Sequence, residues 1–398
     1  MIDRPSEAVA VAIAGSIAMA TAMGVGRFVL TPILPPMIDA LGLNAAQAGF
    51  IASANFLGYL IGAIAAAGAG FSHDRRRWLL VGLAASALTT GAMAITGQLA
   101  VLMGLRFLGG LASAFVLVFA STMVLETLAR TQRSALSSWH FAGVGIGITL
   151  SAVVVALVAA GAGDWRAQWL WSGALSLAGL AAVAWVVPKQ VANAVSAGVT
   201  QDGGTGATPG AGPGLGALIA AYGLFGFGYV ITATFISTMV RLGEGPEWLE
   251  TAAWAVVGLA AIPSVAVWSA IAARTGAMGA FAIACLVQGV GVAVSVLLGG
   301  VLAILAAAFL LGGTFMGLTA LGIAAARTAS PGNPTRAIAL MTAAFGVGQM
   351  IGPSIGGAMA DRFGGFTAPS LAAATALVAA AVLAYTCGPG RGKVTPEA

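Results

Sequence analysis

Two arginines stand where an arginine is hardest to keep. Arg27, in "MGVGRFVL", and Arg106, in "LRFLGGLASA", each interrupt a long apolar run. An arginine at mid-bilayer costs about 2.5 to 3.5 kcal/mol or more, so each must face a cavity or a partner. Two readings stand for Arg27: it binds an anionic group of a substrate, or it snorkels outward and caps neighbouring carbonyls. Gly24 and Gly26 thin the chain beside it. Arg106 reads better as architecture than as a ligand. Asn55 and Tyr59 are four apart and so share a helix face, at a depth expected to match Arg27. Tyr222 and Tyr229 are seven apart on one face, with Gly226 between them and Thr232 beyond. They line a cavity, or Tyr222, which alone is near enough to the inner end, belongs to an interfacial aromatic belt. His140 has the chemistry of a proton relay, since an imidazole titrates at about pH 6.5; a packed, satisfied histidine is the plainer reading. Gln288 and Gln349 are lesser cavity candidates.

The elements that must hold these groups are membrane helices. Of 398 residues, 59% are hydrophobic and 7% charged, with a mean hydropathy of +0.99. A soluble domain carries roughly 25% charged residues; this chain lacks the polar surface to face water. Its net charge of +5 is spread singly or in short runs, which argues against a nucleic-acid patch. Cys285 and Cys387 lack C-x-x-C spacing, and two histidines are too few for a metal cluster. No cofactor or metal is expected. The series Gly143, Gly145, Gly147 follows no strand and reads as close helix packing instead of a dinucleotide fingerprint.

A crossing needs about 20 apolar residues. Such runs fall at 8–34, 47–70, 78–97, 99–125, 135–161, 166–187, 214–240, 249–272, 277–298, 301–326, 337–360 and 367–387. The first run is too long for a signal h-region and reads as a retained helix. A Gly/Pro/Thr-rich stretch near the midpoint has linker composition. The expected organisation is a six-helix bundle at 1–187, a cytoplasmic linker at 188–213 and a second bundle at 214–398. The halves repeat: Gly24 and Gly26 match Gly226 and Gly228 at an offset of 202. "LGGLASA" at Leu108 matches "LGGTFMG" at Leu311 at 203, as Arg133 matches Arg336, and Phe141 matches Phe345 at 204. At the first of these offsets, Arg27 is replaced by Tyr229. A parallel repeat predicts a pseudo-two-fold along the membrane normal and a site between the halves.

Twelve of the seventeen Lys and Arg fall on the side of the N-terminus. Arg166, Arg241 and Arg362 fall opposite, and Arg27 and Arg106 lie within. The positive-inside rule then predicts cytoplasmic N- and C-termini. Of the twelve acids only Glu126 nears a span interior. A net-positive core favours an anionic substrate.

These features resemble the major facilitator superfamily over the whole chain. Its basic-loop signature G-x-x-x-D-R is matched by Gly70, Asp74 and Arg75 in a shortened form, "GFSHDRRRW". The resemblance implies that this loop pairs charges at the cytoplasmic helix ends, with Glu126 as the partner. Arg106 resembles the fourth-helix R-x-x-x-G motif. The series Gly348, Gly352, Pro353, Gly356, Gly357 resembles an antiporter motif, but one that belongs to the fifth helix, not the eleventh. More narrowly, "GVGRFVLTPILPPM" and "AGFIASANFLGYLIGA" resemble the YbfB/YjiJ-like bacterial transporters.

The expected fold is therefore an all-α integral membrane protein, with twelve transmembrane helices in two pseudo-symmetric six-helix bundles. The expected function is secondary transport of a small organic anion by alternating access, not enzymatic catalysis; the alternative is proton-driven export of lipophilic drugs or metabolites. Arg27, Asn55, Tyr59, Tyr222, Tyr229 and Gln349 are the expected substrate residues. Arg106, His140, Asp74, Arg75 and Glu126 are the expected coupling or gating residues. The expected partners are a small-molecule substrate, a coupling proton and the lipid bilayer, with no nucleic acid. The chain is expected to be a monomer in the bacterial inner membrane.

Overall fold

The computed structural model describes residues 4–68, 71, 74–186, 214–243, 245–330 and 334–386. The linker at 188–213, Gly70 of the basic loop and Cys387 lie outside the described residues. Every apolar run forms a helix: α1 (Glu7–Leu41), α2 (Ala45–Ala66), α3 (Arg75–Ala92), α4 (Leu99–Arg130), α5 (Ser137–Ala160), α6 (Trp165–Val186) and α7 (Leu215–Leu242). Glu247–Leu297 is one run of 51 residues, about 76 Å at 1.5 Å per residue against a hydrocarbon core of about 30 Å. It bends at Gly276, whose φ of 75° and ψ of 160° suit a residue without a Cβ. Its limbs, 247–275 and 277–297, are α8 and α9. Then follow α10 (Val301–Ala329), α11 (Pro334–Phe363) and α12 (Thr367–Thr386). Among the described residues eleven segments are thus long and apolar enough to cross a membrane, and the bend makes twelve limbs.

Short connections hold the helices antiparallel. Gly42 ends α1 in the left-handed region, and Asn44 with Gln47 forms a capping box on α2. Asp74 caps α3 by accepting from the Arg77 N–H at 3.0 Å. Helices α2 to α6 pack with α1 in one group, and α8 to α12 with α7 in another. Between the groups, α2 packs on α11, α5 on α8, and the last third of α1 on α7.

Packing sets the register of the repeat. Gly110 on α4 lies so close to α2 that a Cβ would meet the Asn55 carbonyl. Gly312 on α10 stands in the same relation to the Val257 carbonyl on α8. Both partners are 202 apart, so α4 and α10 superpose at 202 and not at the 203 that the Leu-Gly-Gly letters suggest. Two ties that join the halves also connect residues 202 apart: Thr31 Oγ1 to the Ala233 carbonyl, and Arg241 to Asp39. These pairs are repeat mates facing each other across the pseudo-axis.

Candidate functional site

The site begins with a break in α1. Residues Arg4–Met19 are α-helical, Ala20–Val25 form a π-turn, and Leu30–Leu41 resume the α-helix. The Gly26 N–H reaches the Thr21 carbonyl, five residues back, at 2.8 Å. Thr31 N–H, which a regular helix would send to the Arg27 carbonyl, goes to Phe28 at 3.2 Å. A freed carbonyl in hydrocarbon costs several kcal/mol. Arg106 on α4 supplies the missing donors: Nη1 donates to the Gly26 carbonyl at 2.8 Å and Nη2 to that of Arg27 at 2.5 Å. Asn55 Nδ2 donates in turn to the Arg106 carbonyl at 2.8 Å. Arg106 and Asn55 therefore brace the broken segment.

The break aims Arg27 inward. It is 4% exposed, and its guanidinium lies over the rings of Tyr59 at 4.0 Å, Phe56 at 4.7 Å and Phe28 at 5.4 Å. Such cation–π contacts, about 0.5 to 2 kcal/mol each, offset part of the burial cost. Nη2 donates to Gln349 Oε1 at 2.9 Å, while Nε–H is buried with no partner. Among the described residues Arg27 pairs with no carboxylate. Gln349 Nε2 donates to the Tyr229 hydroxyl, so one amide joins the cation of the first half to the phenol of the second.

Beyond Gln349 the surroundings are aromatic. Tyr229 lies parallel to Phe315 at 5.8 Å and to Phe345 at 5.9 Å, and Tyr222 stacks on Phe345 at 5.0 Å. Tyr222 OH donates to the Thr319 carbonyl at 3.1 Å. Arg27, Tyr59, Gln349 and Tyr229 thus come together, Tyr222 joins through Phe345, and Asn55 braces from behind.

The remaining candidates lie elsewhere. His140 is fully buried, shares a 3.0 Å hydrogen bond with Ser121 and abuts Gly15. Gly15 is twelve residues from Arg27, about 18 Å along the helix. Arg75 holds both carboxylate oxygens of Glu126, at 2.9 and 2.8 Å. That pair joins α3 to α4 within one half, and Asp74 is engaged as a cap.

The whole arrangement meets its relatives at this point. A family model described as uncharacterised MFS-type transporter YbfB matches residues 19–385. The chain belongs to this family of MFS transporters. Two crystal structures of the nucleoside transporter NupG, one of a point mutant, share the fold, with TM-scores of 0.72 and 0.70. They are 13% and 14% identical, over 96% of this chain and 98% of theirs. A gallate transporter of Pseudomonas putida is 29% identical over 157 residues, which is 39% of this chain and 35% of that protein. The match spans about a third of that relative's length. The MFS chain is a membrane transporter and not an enzyme.

As in a transporter with one side shut, the two halves are tied on the face where α1 ends and α2 begins. Asp361 on α11 accepts from the Ala45 and Ala46 N–H groups at 2.9 Å each, and Ser354 meets Ser53 at 2.7 Å. Arg241 binds Asp39 of α1 at 2.5 Å and Glu250 of α8 at 2.7 Å. Sequence reasoning missed these groups, and it missed Phe28, Phe56, Phe315 and Phe345. Phe56 was findable, three residues before Tyr59 on the same face. The other rings are apolar residues in an apolar chain and carry no contrast.

Proposed function

We propose that this MFS chain transports a small organic anion, with a carboxylate at one end and an apolar or aromatic body at the other, by alternating access. The observation that carries the reading is Arg27, a permanent cation buried deep in α1 with a neutral amide and three rings for company. A carboxylate would meet its fork of donors, and the rings of Tyr229, Phe315 and Phe345 would receive the body. The partial relative is a transporter named for gallate, itself an aromatic carboxylate, which agrees with that division. The moving bodies are residues 1–187 and 214–398, joined by 188–213. The basic asymmetry supports cytoplasmic termini in a bacterial inner membrane, which would make the tied face external. Proton coupling through His140 has weaker support, because its ring is enclosed far from Arg27.

The test is uptake of labelled organic acids by proteoliposomes. Arg27→Ala is expected to lower it at least about 100-fold, since hydrogen bonds to charged groups contribute about 1.5 to 3 kcal/mol each. Arg27→Lys keeps the charge, loses the fork and falls between. Undiminished transport of every acid by Arg27→Ala sinks the reading. Export of lipophilic compounds is the second reading. It is favoured by a crevice of about 450 Å³ between α8, α9 and α10, lined by Val256, Leu259, Pro263 and Phe309. Hypersensitivity of a deletion strain to cationic drugs would support export against anion transport.

A further inference from the structure

Gln349 is 1% exposed, and both ends of its amide are used. Its oxygen accepts from Arg27 and its nitrogen donates to Tyr229. A glutamine amide presents one sp² oxygen to a guanidinium, as half of a carboxylate would. It brings no charge and satisfies one N–H, and Arg27 Nε–H remains buried without a partner. A carboxylate carries two oxygens and a full charge, and so fills a seat that Gln349 only half fills. The placement matters as well. Other ties between the halves, at Thr31 and Ala233, Ser53 and Ser354, and Asp39 and Arg241, lie nearer the tied face. The Arg27–Gln349 bond is deeper than these, beside the aromatic surface.

We infer that Gln349 is an internal stand-in for the substrate's carboxylate, holding Arg27 in the empty conformer and displaced when the acid arrives. This rests on the anion reading above. It makes Gln349 a specificity-determining residue: an acid gains the second oxygen and the charge, while a neutral amide offers Arg27 no more than Gln349 already does. Displacement also frees α11 from α1, so binding loosens one tie between the halves. Gln349 keeps its partner Tyr229.

The test uses the purified full chain, with benzoate and benzamide as probes of one shape and two charges. Gln349→Ala removes the competitor and is expected to tighten benzoate binding about tenfold, the worth of one hydrogen bond to a charged group. Benzamide affinity stays below that of benzoate. Gln349→Glu supplies a resident carboxylate. The melting temperature of the ligand-free protein is expected to rise, and benzoate affinity to fall at least about tenfold. A fall in that melting temperature overturns the stand-in, because the seat then rejects a carboxylate. Weakening of benzoate by Gln349→Ala to the level of Arg27→Ala also overturns it, and leaves the anion reading intact with Gln349 as a direct ligand. Benzoate binding that survives Arg27→Ala removes the anion reading and the stand-in together. Absence of benzoate binding in both the wild type and Gln349→Ala overturns the stand-in as well.

Discussion

Helices α1 and α7 are repeat mates, and they part company at the same position. Both carry two glycines two residues apart, Gly24 and Gly26 in one, Gly226 and Gly228 in the other. In α1 the helix opens into a π-turn and non-helical turns and presents Arg27. In α7 it runs unbroken through 28 residues and presents Tyr229. The difference extends to the bracing helix. At the packing offset of 202, Arg106 of α4 corresponds to Ala308 of α10, which is fully buried. The half that frees backbone carbonyls has an arginine to take them, and the half that frees none has an alanine. Glycines alone, therefore, do not break a membrane helix; a donor must be ready for the carbonyls released. The comparison also separates the two arginines: Arg106 spends both Nη donors on the backbone of its own half, Arg27 donates across the halves to Gln349, and each keeps its Nε–H buried without a partner.

Breaking the brace should give the largest effect on stability. Arg106→Ala strands the Gly26 and Arg27 carbonyls, each worth about 1 to 3 kcal/mol when buried unpaired. Thermal unfolding in detergent should show a loss of about 2 to 6 kcal/mol. A loss under about 1 kcal/mol would mean that the carbonyls find other donors, and the contrast between α1 and α7 would lose its cause. The register of the comparison is tested by glycines. Gly110→Ala and Gly312→Ala each place a methyl on a neighbouring carbonyl and should cost about 1 to 3 kcal/mol. Gly313→Ala has open space around its Cβ and should stay within about 0.5 kcal/mol of wild type. The reverse order at Gly312 and Gly313 would restore the offset of 203.

Hydropathy made the spans and the two halves legible, because bilayer thickness imposes a length that composition cannot disguise. Finer features follow from packing. The letters Leu-Gly-Gly align at 203, yet α4 and α10 meet their neighbours at 202, since a helix face is chosen by contact and not by letter. Gly24 and Gly26 marked a weak point in α1 without revealing the π-turn. Asn55 and Tyr59 share a face by spacing, but a small rotation sends Asn55 to the α4 backbone and Tyr59 to Arg27. Gln349 stood among lesser candidates because nothing local to α11 points to a partner 322 residues away.

A smaller effect than loss of the brace is expected from the second half's own contribution. Tyr229→Phe removes the hydroxyl that accepts from Gln349 Nε2 and leaves the ring against Phe315 and Phe345. If the second half supplies a surface and the first half the charge, the ring matters more than the hydroxyl. Stability should fall by about 1 kcal/mol, the net worth of one neutral hydrogen bond, and acid uptake should stay within about tenfold of wild type. Tyr229→Ala should do worse on both counts by opening a cavity among the rings. A Tyr229→Phe variant as inactive as Arg27→Ala would make the hydroxyl a ligand in its own right. The two repeat mates would then share the polar work, and the division between a charged half and an aromatic half would fall.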